Sequence, residues 1–188
     1  MSIDDGWFRW TPQNARESVF GDLRPLIDEF ESVPTDSGKK SAEWLRKSAL
    51  SDYPSTVTWV LKSESGRQID GFFALASDSI KLNKEHRKEL PHEQPSSIPE
   101  PVQGASLIAW IARHRNSETP GRLIMHYAIY IALKVAHLQG TPVAVLDPLN
   151  NIPTAEHMEK HYGFRRSFTA DHSQIRLWVP LWVPLHAA

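Results

Sequence analysis

The chain has 188 residues, with 21 lysines and arginines against 22 aspartates and glutamates, and no cysteine. That length can bury about two-thirds of its unfolded surface without staples, and the missing thiols exclude a disulfide scaffold, thiolate zinc sites and a catalytic cysteine. A net charge of -1 argues against a whole-protein basic footprint, and no run reaches the roughly 18 apolar residues of a membrane span, so a soluble cytoplasmic protein of one domain over 1–188 is expected.

Residues 14–31 carry short helical patterns broken at Pro25, which predicts one or two short helices. Pro34-Thr35-Asp36-Ser37-Gly38 reads as a turn, and Ser41 to Leu50, with Trp44, Leu45 and Ala49 at helical spacing, reads as the next helix. Thr56 to Lys62 is rich in β-branched and aromatic residues. It is followed by the turn Ser63 to Gln68 and an apolar run from Ile69 to Ser77, which together predict a β-hairpin. Residues 83–103 are polar and rich in proline, so an irregular exposed insert is expected there.

Gly104 to Arg113 contains Leu107-Ile108-Ala109-Trp110-Ile111-Ala112, a stretch with no polar face, and reads as a strand covered on both sides. Ser117-Glu118-Thr119-Pro120-Gly121-Arg122 follows as a loop, with Thr119 placed to cap a helix and Pro120 in its first turn. Leu123, Tyr127, Ile131, Val135 and Leu138 recur at helical spacing up to Gly140, and Thr141 to Leu146 reads as a strand. Strand, helix and strand make a β-α-β unit. A short helix from about Pro153 to Tyr162 and strands from Phe164 and over Ile175 to Val179 complete the chain. The apolar tail Leu177 to Leu185 is too greasy for a free end, so packing against the sheet or a homodimer contact is expected.

Two features point to chemistry. The strand-loop-helix ending in Gly121-Arg122 suits a phosphate or pyrophosphate, because the first turn of a helix carries unpaired N–H donors and the positive end of its dipole. Arg113-His114-Arg115 and Lys160 with Arg165-Arg166 are small basic clusters fit for phosphates, or simply solvated charge. His157 and His161 stand at i, i+4 spacing, but no His-Glu-x-x-His pattern is completed there and no metal site is expected. The seven tryptophans read as core or interface packing.

The order helices, hairpin, strand, loop, helix, strand, short helix and strand resembles the GNAT superfamily of N-acetyltransferases over nearly the whole chain. Within it, the TacT/AtaT-like branch, acetyltransferase toxins of toxin–antitoxin systems, is suggested by Asp36-Ser37-Gly38, Trp44-Leu45 with Ala49, Gly71-Phe72-Phe73-Ala74-Leu75, the proline-rich insert and Tyr162-Gly163-Phe164. The resemblance implies an α/β fold: a central mixed twisted sheet flanked by helices, with the β-α-β unit binding acyl-CoA. It implies acetyl-CoA as acyl donor, with its pantetheine arm on the main chain of Ile111, Ala112 and Arg113 and an N–H near Arg113 facing the oxyanion. The pyrophosphate loop of the family carries a Gln or Arg and two glycine positions. Here Glu118, Thr119 and Gly121 stand where Gln, Gly and Gly are usual, and Arg122, with Arg113 or Arg115, would compensate.

The tyrosine acid that the family places four residues before the closing glycine is Glu159 here, and Tyr162, one helical turn away, is the nearest replacement. The implied acceptor is a primary amine, with aminoacyl-tRNA and a separate antitoxin as implied partners. Two other readings stay open: an acyl-CoA-binding protein without transfer, and an acetyltransferase for a small amine or a protein N-terminus.

Overall fold

The computed structural model describes residues 2–3, 7–10, 23–88, 90, 102–139, 141–148, 151–168 and 175–181. They form β1 (Ser2–Ile3), β2 (Trp7–Trp10), α1 (Leu23–Asp28), α2 (Asp36–Lys47), β3 (Thr56–Lys62), β4 (Ile69–Lys81), α3 (Lys84–Arg87), β5 (Val102–Arg113), α4 (Gly121–Gln139), β6 (Val143–Leu146), α5 (Ile152–Tyr162), β7 (Arg165–Phe168) and β8 (Ile175–Pro180). The strand order is β1-β2-β3-β4-β5-β6-β8-β7. The β3–β4, β6–β8 and β7–β8 ladders are antiparallel and β5–β6 is parallel, so the sheet is mixed and the fold is α/β, as the sequence predicts. Contacts divide the chain into two compact units, Met1–Ala76 with Ala109–Ala128 and Ser77–Ile108 with Ile129–Ala188.

The first unit is built on the predicted hairpin, paired from Thr56↔Ala76 to Lys62↔Ile69. Helix α2 buries Gly38, Ser41, Ala42, Trp44 and Leu45, a stripe at i, i+3, i+4, i+6 and i+7, of which Ala42, Trp44 and Leu45 share a core with Val60, Ile69, Phe72 and Ala74 of the hairpin. Each large side chain buried there stabilises by about 1.5–3 kcal/mol. Thr35 caps α2 by accepting from the Gly38 N–H at 3.1 Å, and Asp36 in the first turn and Arg46 and Lys47 in the last complement the helix dipole. The expected turn over Pro34 to Gly38 is therefore the helix start, since residues that favour turns also favour N-caps. Gly38 is required there, because a Cβ would strike the Val33 carbonyl. Pro25 does not break α1; it lies in that helix's first turn, where no intrahelical N–H bond is lost. Residues 14–22 of the predicted helices lie outside the described residues.

Trp7 is fully buried, its ring 4.9 Å from Phe73 and 5.1 Å from Tyr127. In the first unit α4 buries Ile124, Met125 and Ala128, and in the second Ile131, Ala132 and Ala136. The predicted stripe is thus turned by about one residue, leaving Leu123 40% and Leu138 87% exposed.

The second unit has its core at Ile80, Leu82, Leu90, Ala105, Val143, Val145 and Trp178. The expected irregular insert over 83–103 is corrected at both ends. Asn83 caps the short helix α3 by accepting from the His86 N–H at 2.8 Å, Leu90 is buried, and β5 already begins at Val102. Apolar anchors spaced among the polar residues hold these ends, and residues 91–101 lie outside the described residues. The Arg176 guanidinium grips Asp147 at 2.7 Å and Asp78 at 3.0 Å and donates to the Ser79 carbonyl at 3.1 Å. These carboxylates hold its pKa above the ordinary arginine value, the Asp147 hydrogen bond first. The tail is sheet as far as Pro180: Leu177 and Trp178 are fully buried in β8, and the Leu181 N–H bonds the Pro142 carbonyl at 2.8 Å. Residues 182–185 of that tail lie outside the described residues. No helix among the described residues is long and apolar enough to cross a membrane.

Candidate acyl-donor site

The ladder from β5 to β6 registers Ala105↔Val143 through Ile108↔Leu146 and goes no further, although β5 continues to Arg113. The His114 N–H donates to the Asp70 carbonyl at 2.8 Å, on the β4 side. Main-chain groups alternate between the two edges of a strand. Trp110 and Ala112 therefore face β4, while Ala109, Ile111 and Arg113 address the opposite edge. Glu31 and Ser32 take up that opposite edge only afterwards: the Arg115 N–H donates to the Glu31 carbonyl at 2.8 Å and Ser32 bridges His114. Between these limits the main chain of Ile111 and the N–H of Arg113 lie on a stretch with no recorded ladder among the described residues. Of the sequence-predicted pantetheine contacts, Ala112 differs, because its main chain is turned towards Gly71 of β4. The expected full cover of this strand is also corrected: Ala109 to Arg113 are only half-buried, because the neighbouring ladder has ended.

The loop after β5 is braced from within the first unit. Arg113 Nη1 donates to the Ser117 carbonyl at 2.8 Å, and Ser117 Oγ accepts from the Thr119 N–H at 3.0 Å. The Thr119 hydroxyl donates to Asp70 Oδ2 at 2.9 Å, and Gln68 Nε2 donates to Asp70 Oδ1 at 2.7 Å. Thr119 is thus not the helix cap that the sequence predicts; its hydroxyl is spent on a buried carboxylate. His114 is buried against Phe30, ring centroids 5.5 Å apart, and its Nδ1 accepts from the Asn116 N–H at 3.2 Å. Burial lowers its pKa, outweighing the Glu31 carboxylate, and Arg115 pushes the same way. A polar cleft lined by Glu29, Glu31, Arg67, Gln68, His114 and Asn116 borders this loop, and its carboxylates do not suit a phosphate.

Helix α4 starts at Gly121, with the Leu123 N–H bonded to the Pro120 carbonyl at 2.9 Å. The N–H groups of Gly121 and Arg122 belong to the first turn, which has no earlier helical acceptors. Gly121 faces open space where a Cβ would stand, and Arg122 is exposed. Arg115 is ion-paired to Glu31 and Arg113 serves Ser117, so Arg122 is the arginine best placed for an anion at this helix start. Exposed Glu118 and donorless Pro120 weaken that attraction. An open strand edge leading to an unencumbered helix start fits a pantetheine arm followed by a pyrophosphate.

In the second unit, α5 is capped by Asn151, which accepts from the Thr154 N–H at 3.0 Å, and ends at Gly163 with φ 71°, a left-handed conformation that favours glycine. Glu159 is ion-paired to Arg166 at 2.8 Å. Tyr162 is half-buried, with the His157 ring set edgewise 5.8 Å from its own. The exposed His157 and His161 rings are 4.5 Å apart, and no group of three or more metal-binding side chains occurs among the described residues. Arg165 lies 5.4 Å over the Trp178 ring, so the predicted basic cluster of Lys160, Arg165 and Arg166 is partly committed to local contacts.

No protein-family model and no curated protein matches the chain. Solved structures do. AtaT complexed with acetyl-methionyl-tRNAfMet matches with a TM-score of 0.62 at 16% identity, over 82% of this chain and 86% of that one. A tyrosine-to-phenylalanine mutant of the AtaT toxin gives 0.64 at 13%, over 96% and 93%. The chain shares the fold of the AtaT structures. A tyrosine-to-phenylalanine mutant of KacT agrees, with a TM-score of 0.61 at 13% identity over 82% and 87%. The tyrosine-to-phenylalanine mutant of the AtaT toxin has also been solved bound to the C-terminus of the antitoxin AtaR and acetyl-CoA.

Asp70 and the burial of His114 are what sequence reasoning missed. The signal for Asp70 was present: it is a lone carboxylate inside the apolar run from Ile69 to Leu75. Only the fold shows that it braces a loop far along the chain.

Proposed function

We propose that the protein is an acetyl-CoA-dependent N-acetyltransferase acting on the α-amine of an aminoacyl-tRNA, as the cytoplasmic toxin of a toxin–antitoxin pair. The observation that carries this reading is the open edge of β5 at Ile111 and Arg113, running towards the exposed start of α4 at Gly121 and Arg122. The Ile111 main chain holds the pantetheine amides, and the Gly121 and Arg122 N–H groups with the Arg122 guanidinium hold the pyrophosphate. The Arg113 N–H stabilises the oxyanion formed when the neutral amine attacks the thioester carbonyl. The new C–N bond forms, the C–S bond breaks, the amine gives up a proton and the departing thiolate takes one. Glu159 is tied to Arg166, so Tyr162 is assigned as the proton donor; with a thiol pKa of about 8.5 the leaving group needs only modest help.

Calorimetry with acetyl-CoA, followed by acetylation of aminoacyl-tRNA with radiolabelled donor, tests the reading. Binding in the micromolar range, weakened at least tenfold by Arg122→Glu, is expected. Expression should arrest growth, and Tyr162→Phe should slow turnover. No binding at high micromolar acetyl-CoA sinks the proposal. The Glu159–Arg166 pair favours a second reading, an acyl-CoA-binding protein without transfer. That reading predicts binding without acetylation of any amine, and turnover gained in Glu159→Tyr.

A further inference from the structure

An aromatic stack runs through the first unit from buried Phe72 to half-buried Trp110. Phe72 is fully buried at its base, Trp44 lies 6.1 Å from it at 19°, and Trp110 lies 5.1 Å from Trp44 at 13°. Offset parallel rings at such spacings attract one another beyond their area burial. The middle ring is locked, since Trp44 Nε1 donates to Asp52 Oδ2 at 2.8 Å, and α2 and β4 fix the ring positions from two elements. Trp110, the last ring, is only half-buried and sits one residue before Ile111 on β5. A rigid indole at the end of a stack is suited to receive another flat ring. Charge narrows the class of ring: on α2, which carries Trp44, Lys47 is paired with Glu43 and Arg46 donates to the Phe30 carbonyl, which leaves Lys39 and Lys40 against Asp36. That excess favours a polyanion over a neutral aromatic ligand.

We infer that Trp110 is a stacking platform for an unpaired nucleobase of the acceptor RNA, extending the Phe72–Trp44–Trp110 column by one ring. This deepens the transferase reading and rests on it only for the identity of the acceptor. Stacking a base on an aromatic side chain contributes about 1–3 kcal/mol, roughly 5- to 150-fold in affinity, with little preference for sequence. Trp110 would thus set how strongly the acceptor is held, independently of the amino acid it carries, while the main chain of the next residues holds the donor. It is a positioning residue for the acceptor and takes no part in bond making.

The test reads the indole N–H signals of the seven tryptophans by NMR, the Trp110 signal being assigned by its loss in Trp110→Phe. A single-stranded RNA trinucleotide should move the Trp110 signal by ring-current shift, and an abasic trinucleotide of the same charge should not. An unmoved Trp110 signal, or an equal response to the abasic probe, overturns the inference. In kinetics, Trp110→Leu should raise KM for aminoacyl-tRNA about tenfold or more, with kcat and acetyl-CoA affinity little changed, and Trp110→Phe should retain most of the affinity. Unchanged KM in a folded Trp110→Leu protein also overturns it. Should the protein transfer no acetyl group at all, the transferase reading fails while the NMR experiment still decides the platform.

Discussion

The two halves of β5 have similar composition and different fates. Ala105 to Ile108 hydrogen-bonds β6 in parallel and contributes Ala105 and Ile108 to buried positions. Ala109 to Arg113 has lost that neighbour and is half-buried throughout. Val, Ile, Leu and Ala serve equally well in either half, since an apolar strand that holds a ligand on its edge still packs both faces. On the proposed reading, donor binding therefore resides in the main chain of the second half and leaves little mark on its side chains apart from Trp110. The side chains that record it stand on the neighbours, such as Asp70 and Gly71 of β4.

The comparison can be broken most sharply at glycine. A Cβ at Gly71 would overlap Ile124 Cδ1 and press on the Ala112 carbonyl at 3.0 Å. Gly71→Ala should cost about 3 kcal/mol, the upper end for overpacking, measured by urea unfolding, and on the proposed reading should weaken acetyl-CoA binding by displacing the second half of β5. Asp70→Ala comes next. It strips the Thr119 hydroxyl and the Gln68 amide of their acceptor, for about 2 kcal/mol. Its effect on acetyl-CoA affinity should exceed its effect on Tm relative to neutral core variants, because the loop loses its brace.

His114 offers a smaller, pH-dependent handle. Burial lowers its pKa, so below about pH 6.5 the unfolded chain binds a proton that the folded chain resists. Stability is whole above that pH and falls as pH drops towards the folded value. His86, also lowered by burial first and then by Arg165, acts in the same direction. His114→Gln, which keeps an acceptor, should flatten but not abolish the decline in ΔG between about pH 6.5 and 5. Smallest of all should be Gly104→Ala in the paired half of β5, whose Cβ would meet Thr141 Cγ2 at an ordinary 3.4 Å. A stability change under about 0.5 kcal/mol is expected, with acetyl-CoA binding unaffected; a large loss there would erase the distinction between the two halves.

Periodicity made much of the fold legible. The hairpin, the β-α-β unit and α5 follow from alternation of period two giving way to helical spacing, with Gly163 closing the last helix. The start of α2 was hidden because Thr35-Asp36-Ser37-Gly38 suits a turn and a capped helix alike, and only the approach of the Val33 carbonyl to Gly38 decides between them. The buried stripe of α4 lies one residue from the predicted one because apolar side chains line more than one face of that helix. At the candidate site the strand, loop and helix start were visible, as were the departures at Glu118 and Glu159. The bracing by Asp70 was not, since it joins residues 49 apart in sequence, and neither local propensity nor spacing reports a partner at that range.

The order of strands in the second unit bears on how the chain is made. Among the described residues β7 pairs with β8 alone, and β8 also pairs with β6. During synthesis β6 and β7 leave the ribosome first, with nothing to join them until β8 emerges and slots between. The nascent chain would then expose an unpaired edge on β6 for as long as translation takes to reach Ile175–Pro180, an interval in which a chaperone or a neighbouring nascent chain competes for the place that β8 will fill.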